Sequence, residues 1–190
     1  MGKKVRRVPV QLDPGNIEQL PSEEIKAILR GADELIMRGG RTLLARVLKG
    51  SRQKRVLELG LDESPVYGYY AKYTLEQIAN RIDWVILNSY MTIEYDYRLP
   101  LLVFTDKGWE VERETYAREL LEGFNGLLEG SSSPYDMRYL KDRDRQMILR
   151  LLELVEESRD SRYIPLLQDW HGVDYEKVRR RIRQVIQTLS

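Results

Sequence analysis

The sequence contains no cysteine, and this absence excludes several kinds of site. Without thiols the chain can form neither a disulfide nor a zinc site with thiolate ligands. His171 is its one histidine, and its neighbours Trp170 and Gly172 favour a packing or turn role. No Gly-x-x-x-x-Gly-Lys-Ser/Thr pattern follows a strand, so an ATPase P-loop is excluded as well. We therefore predict no metal, no cofactor and no small-molecule substrate.

Long apolar runs are also missing. No stretch approaches the roughly 18 residues that cross a bilayer. Residues 1–10 are basic but lack the apolar segment of a signal peptide. We therefore predict a cytoplasmic protein without a membrane partner, associated with the nucleoid if it binds DNA. Hydrophobic residues at 42% and charged residues at 32% are typical of a folded, helix-rich chain.

Carboxylates are absent between Glu34 and Glu58, although the whole chain carries a net charge of only +1. Polyanions respond to local potential rather than to net charge, so this segment is a candidate nucleic-acid contact. A solvated helix face is the alternative interpretation. The cations of this acid-free segment are Arg38, Arg41, Arg46, Lys49, Arg52, Lys54 and Arg55.

Hydrophobic periodicity predicts helices over 22–36, 41–49, 52–59 and 75–88. Two β-rich runs follow, at 90–94 and 101–105, joined by a six-residue connection. A series of helices that ends in a β-hairpin is the order of elements in a winged helix. We expect Ser51 to cap the helix at 52–59, where it could hold a phosphate together with the first amides. Glu76 and Asp83 are expected on an acidic outer face of helix 75–88, which disfavours base reading.

The remainder of the sequence predicts a helical extension. Residues 130–134 form the clearest linker, and helices are expected at 136–158, 162–170 and 175–189. The last two are predicted to pair as a HEAT-like hairpin. The predicted organisation is an arm at 1–21, a winged helix with a trailing helix at 22–129, and a helical module at 135–190. The last helix carries a second basic group, either solvated or extending a DNA track: Lys177, Arg179, Arg180, Arg181 and Arg183.

Residues 47–61 together with Pro65-Val-Tyr-Gly68 resemble the RQC domain of RecQ helicases, and the resemblance continues over about 22–110. It implies a winged helix that binds duplex DNA near a junction, with Ser51 and Arg55 holding backbone phosphate. It also implies a wing with an aromatic residue near its tip, for which Tyr95 and Tyr97 are candidates. The ATPase and zinc modules of a RecQ helicase are missing from the sequence. We therefore expect a stand-alone bacterial DNA-binding protein, suited to roles such as repair or replication.

We therefore predict a non-enzymatic protein that binds duplex, fork or junction DNA. The residues expected to contact DNA are Lys49, Ser51, Arg52, Lys54, Arg55, Tyr95, Tyr97 and Arg98. An adaptor that recruits a protein through residues 135–190 is the main alternative, and the tyrosines could instead pack across strands. A nuclease using Glu94, Asp96 and Asp106 is disfavoured, because alternate side chains of a hairpin point apart.

Overall fold

The computed structural model describes residues 7–130 and 132–190. The chain forms two compact units, Met1–Glu112 and Arg113–Ser190, here called the N-terminal and C-terminal units. The predicted linker at 130–134 falls inside the C-terminal unit, and the domain bounds drawn from it remain a prediction. No helix in the described ranges is long and apolar enough to cross a membrane.

Within its described residues, from position 7 onward, the N-terminal unit contains four α-helices followed by a hairpin. The helices are α1 Ser22–Asp33, α2 Arg41–Lys49, α3 Lys54–Glu58 and α4 Leu75–Leu87, and the strands are β1 Met91–Asp96 and β2 Leu99–Phe104. Helix α5, Asp106–Gly130, continues from this unit into the next. The predicted class, a mainly helical winged helix with a small hairpin and a helical extension, is confirmed.

Helix α4 begins where the sequence predicted. The Thr74 hydroxyl accepts from the Gln77 amide at 3.2 Å, and the Gln77 side chain accepts from the Thr74 amide at 3.0 Å. This reciprocal capping box satisfies two amides that the first turn would leave unpaired. Its apolar residues Ile78, Ile82 and Val85 are fully buried in the core of the N-terminal unit.

The predicted outer face of α4 is partly wrong. Asp83 is 1% exposed and Trp84 is buried, whereas Leu75 is 46% exposed. The reason is that the preceding chain covers a second face of the helix: the Asp13 amide donates to Asp83 at 2.8 Å, and the Trp84 indole donates to the Glu18 carbonyl at 3.2 Å. The outer face is therefore less acidic than its sequence suggested.

The hairpin is tighter than predicted. Asp96 pairs with Leu99 in the antiparallel ladder, so only Tyr97 and Arg98 connect the strands instead of six residues. Tyr97 takes a positive φ of 53°, as a tight two-residue connection requires. Leu102 of β2 also exchanges backbone bonds with the segment before α2, donating to the Gly39 carbonyl and accepting from the Met37 amide. These bonds tie the hairpin to the start of α2.

In the part of the C-terminal unit that the structure describes, the later part of α5 is followed by three further α-helices, α6 Arg145–Ser158, α7 Ile164–Val173 and α8 Glu176–Leu189. The helix predicted to start at 136 starts at Arg145 instead, because the Asp144 side chain accepts from the Met147 amide at 3.0 Å and fixes the N-terminus there. Helix α8 packs against both α6 and α7. Trp170 and Phe124 meet edge to face in this unit's separate core.

Candidate nucleic-acid interface

Two glycines bring the end of α2 against the tyrosine-rich loop. Gly50 and Gly68 both have positive φ, 77° and 76°, and a Cβ on Gly50 would lie 3.1 Å from the Gly68 Cα. The close approach lets the loop amides cap α2, since Gly68 donates to the Val47 carbonyl at 3.0 Å and Tyr70 to the Leu48 carbonyl at 2.8 Å. The Gly50-Ser51 and Tyr67-Gly68 elements of the sequence therefore pack directly against each other.

Ser51 is positioned by the end of α2, not by the start of α3. Its amide donates to the Arg46 carbonyl at 2.9 Å, while the Gly50 amide donates to Val47, which is the Schellman pattern of a helix C-terminus. The predicted N-cap role of Ser51 is wrong, because α3 begins at Lys54 after Gln53, without a side-chain cap. The Ser51 hydroxyl accepts from the Gln53 amide at 3.3 Å, so its own O–H stays available to donate.

Lys49 is half-buried, and its side chain is held by the tyrosine-rich loop. Its ammonium donates to the carbonyls of Ala71 and Tyr73 at 2.6 and 2.7 Å. These bonds fasten the tyrosine-rich loop to α2 and use two of the three donors of the ammonium group. The structure therefore gives Lys49 a supporting position, and direct contact with DNA remains a prediction for it.

The cations that follow Ser51 point to solvent. Arg52 and Arg55 are exposed and form no ion pair with another described residue. Lys54 has an 87% exposed side chain and lies 3.5 Å from Glu58, one turn along α3. An exposed pair of this kind contributes little, so the ammonium remains free to meet another anion. Ser51, Arg52, Lys54 and Arg55 form one continuous stretch, here called the clamp segment.

The two wing tyrosines lie in different surroundings. Tyr97 is at the tip and 71% exposed, next to the exposed Arg98. Tyr95 lies within β1 opposite Pro100 and is half-buried. Its hydroxyl donates to the Val8 carbonyl at 2.8 Å, and the Arg7 guanidinium lies 4.9 Å from its ring centroid. Tyr95 therefore anchors the N-terminal arm, while Tyr97 is the aromatic residue at the tip.

Residues 21–120, more than half of the chain, match the family described as the RQC domain. The chain belongs to this family. It is also 29% identical over 90 residues to the ATP-dependent DNA helicase RecQ of Bacillus subtilis (strain 168), an alignment that spans 47% of this chain and 15% of the helicase. No solved structure matches the chain.

The loop between α3 and α4 of the RQC domain is fixed by buried polar contacts. The Tyr70 hydroxyl donates to Glu24 at 2.6 Å, and Arg81 binds the same carboxylate at 3.0 Å. Burial raises the pKa of Tyr70 above its usual range, and the hydrogen bond to Glu24 raises it further. The phenol therefore keeps its proton and acts as a permanent donor. Arg81 also lies 4.1 Å from the Tyr73 ring centroid, which ties the end of the loop to α4.

Two arginines that sequence reasoning left out of the candidate site lie close to it. Arg38 and Arg46 line a cavity of about 460 Å³, together with Arg55 of the clamp segment and with Leu99–Leu102 of the wing. Both belong to the acid-free segment, so the charge pattern contained the signal. Their shared cavity could not be read from the sequence, because it depends on the contact of the hairpin with the segment that leads into α2.

Three cations of the second basic group, Arg179, Arg181 and Arg183, form ion pairs within the C-terminal unit. Arg181 binds Glu156 at 2.6 Å, and Arg183 binds Glu176 at 2.9 Å and approaches the His171 ring at 3.0 Å. A role for this group in recruiting DNA or a protein partner stays a prediction. Among the described residues, no cluster of three or more His, Cys, Asp or Glu side chains could hold a metal ion.

Proposed function

We propose that the N-terminal unit binds duplex DNA through its backbone phosphates, with the clamp segment as the principal contact. The observation that carries the proposal is the clamp segment itself: three exposed cations and a serine hydroxyl lie within five consecutive residues of an RQC domain. The relative named above as a DNA helicase supports the same class of ligand.

Phosphate recognition suits these groups chemically. Arginine donates two parallel hydrogen bonds to a phosphate, and a serine hydroxyl adds one more. The capped end of α2 and the bonds of Lys49 hold the clamp segment in place before DNA arrives, so less order is lost on binding. None of these contacts distinguishes one base from another, so we propose binding without sequence preference.

The wing completes the proposed interface. Tyr97 presents an aromatic ring at the tip, and a ring of this kind can stack on an exposed base pair at the end of a duplex. Arg98 adds a cation beside it. We propose that this tip lies near a duplex end or junction. The proposed activity is binding without a catalytic step, because the contacts consist of phosphate donors and a stacking ring.

Fluorescence anisotropy with a labelled blunt duplex tests the proposal. We expect the variant carrying Ser51→Ala and Arg55→Ala to bind at least about tenfold more weakly than the unchanged protein, because it loses several charge-assisted bonds. The matched control carries Ser161→Ala and Arg162→Ala, which removes the same two side-chain types from the C-terminal unit. Equal affinity of the clamp variant and the unchanged protein would refute the site. Absence of binding by the unchanged protein at low salt would refute duplex binding altogether.

A further inference from the structure

A cavity lies between the N-terminal arm, the start of α2 and the wing. Its volume is about 460 Å³, within the range of roughly 300–1,000 Å³ typical of small-ligand sites. One wall consists of arm residues 8–11, which are fixed to the hairpin and to α2. The Val8 amide donates to the Arg98 carbonyl at 3.2 Å, and Arg41 donates to the Gln11 carbonyl at 3.1 Å. The arm is therefore a built part of the cavity.

The charge of the cavity wall is of one sign. Four arginines line it, and none of the described lining residues is acidic. Arg41 is neutralised by the buried Asp83 behind it. The other three are Arg38, Arg46 and Arg55, and no ion pair to a described residue neutralises them. The Nε of Arg46 is buried and has no hydrogen-bond acceptor, which is unfavourable for a charged group unless a ligand supplies one.

Much of the remaining lining is apolar. It includes Ile93 and Leu99–Leu102 of the wing, and Leu99 is 60% exposed although it is a large hydrophobic residue. A cavity that combines cations with apolar surface matches a nucleotide, whose phosphate is anionic and whose base and sugar have apolar faces. Single-strand binding sites likewise join a positively charged groove to side chains that contact the bases; those side chains are typically aromatic, and in this cavity the aliphatic Leu99 takes their place.

We propose that this cavity binds unpaired nucleotides that extend from the end of a duplex, with phosphate at Arg38 and Arg46 and a base against Leu99. The inference rests on the proposed function, because Arg55 belongs to both the clamp segment and the cavity wall. A duplex held at the clamp segment would thereby place its single-stranded extension beside the wing.

Four labelled probes test this site by anisotropy: a blunt duplex, the same duplex with a six-thymidine extension on the 5′ end of one strand, the same duplex with that extension on the 3′ end, and a six-thymidine oligonucleotide alone. We expect the unchanged protein to bind one extended duplex about tenfold more tightly than the blunt duplex, as one additional charge-assisted phosphate contact would give. Arg38→Ala combined with Arg46→Gln should abolish this gain and leave blunt-duplex affinity within about twofold. Arg38→Ala alone, at an exposed position, should reduce the gain even if the double variant folds poorly. Arg52→Ala is the control, and it should weaken binding of both duplexes equally.

The outcomes separate the two proposals. Equal affinity for blunt and extended duplexes overturns the cavity site and leaves duplex binding intact. Binding of the oligonucleotide alone, lost in the Arg38→Ala variant, supports the cavity site even if the blunt duplex does not bind. If none of the four probes binds, both proposals are overturned. Polyglutamate and oligothymidylate can also be compared as competitors. If polyglutamate removes the tighter binding of the extended duplex as readily as oligothymidylate does, the cavity is a general anion surface, such as one for an acidic protein, and the nucleotide assignment is overturned.

Discussion

The salt dependence of DNA binding gives a quantitative test of the proposed interface. Each phosphate neutralised by a cation releases counterions, so log K falls with log salt at a slope of about −0.9 per contact. The clamp segment and the wing tip together present four exposed cations, Arg52, Lys54, Arg55 and Arg98. We therefore expect a slope of about −3.6, which corresponds to a roughly 150-fold loss of affinity between 50 and 200 mM salt.

Removing two of these cations should halve the slope. The variant carrying Arg52→Ala and Arg55→Ala retains two contacts, so we expect a slope of about −1.8 and a loss of only about 12-fold over the same range. The assay is anisotropy of a blunt duplex at five salt concentrations. The control carries Arg138→Ala and Arg162→Ala, which removes the same total charge from two exposed arginines paired with neighbouring aspartates.

The two double variants together show whether the salt dependence arises from the clamp segment or from the net charge of the protein. If the attraction came only from the net charge of the protein, both variants would change the slope by the same amount. We expect the control to keep the slope of the unchanged protein. An unchanged slope in the Arg52→Ala and Arg55→Ala variant would refute the assignment of the clamp segment as the phosphate contact.

Three further results are expected. Lys49→Met should lower the free energy of unfolding, measured by urea titration, by about 1–3 kcal/mol, because two loop carbonyls lose a charged donor. The control Lys54→Met should lower it by less than about 0.5 kcal/mol. Equal losses in the two variants would contradict the supporting role of Lys49. Asp83→Ala should cost about 3 kcal/mol and expose the N-terminal arm to limited proteolysis, because it breaks a buried ion pair; an unchanged cleavage rate would contradict this. Hydrogen bonding to Arg150 holds the pKa of Glu114 below its ordinary value of 4.5. This pair should therefore stabilise the C-terminal unit above pH 4.5, and the stabilisation should be lost as the pH falls through the lower pKa of the folded state. In thermal melts from pH 6 to 3, an Arg150→Met variant should lose less of its melting temperature than the unchanged protein does.

The local elements of this protein could be predicted because each depends on residues close in sequence. The capping-box residues Thr74 and Gln77 lie at the start of α4, and Gly50 lies at the end of α2. The pattern around Ser51 and Arg55 was enough to indicate the family. Signals of this kind act through backbone groups within one helical turn, so no knowledge of the rest of the fold is required.

Tertiary structure decided how the charged side chains are used. Seven cations share the acid-free segment, but the fold pairs Arg41 with a buried carboxylate and turns Lys49 toward loop carbonyls. It leaves Arg52 and Arg55 exposed. Periodicity placed Asp83 outside because it assumes that a helix has one covered face, whereas the arm covers a second. The sequence therefore determined where positive charge is concentrated, and only long-range packing determined which of these charges can meet a ligand, because a side chain's partner depends on residues distant in the chain.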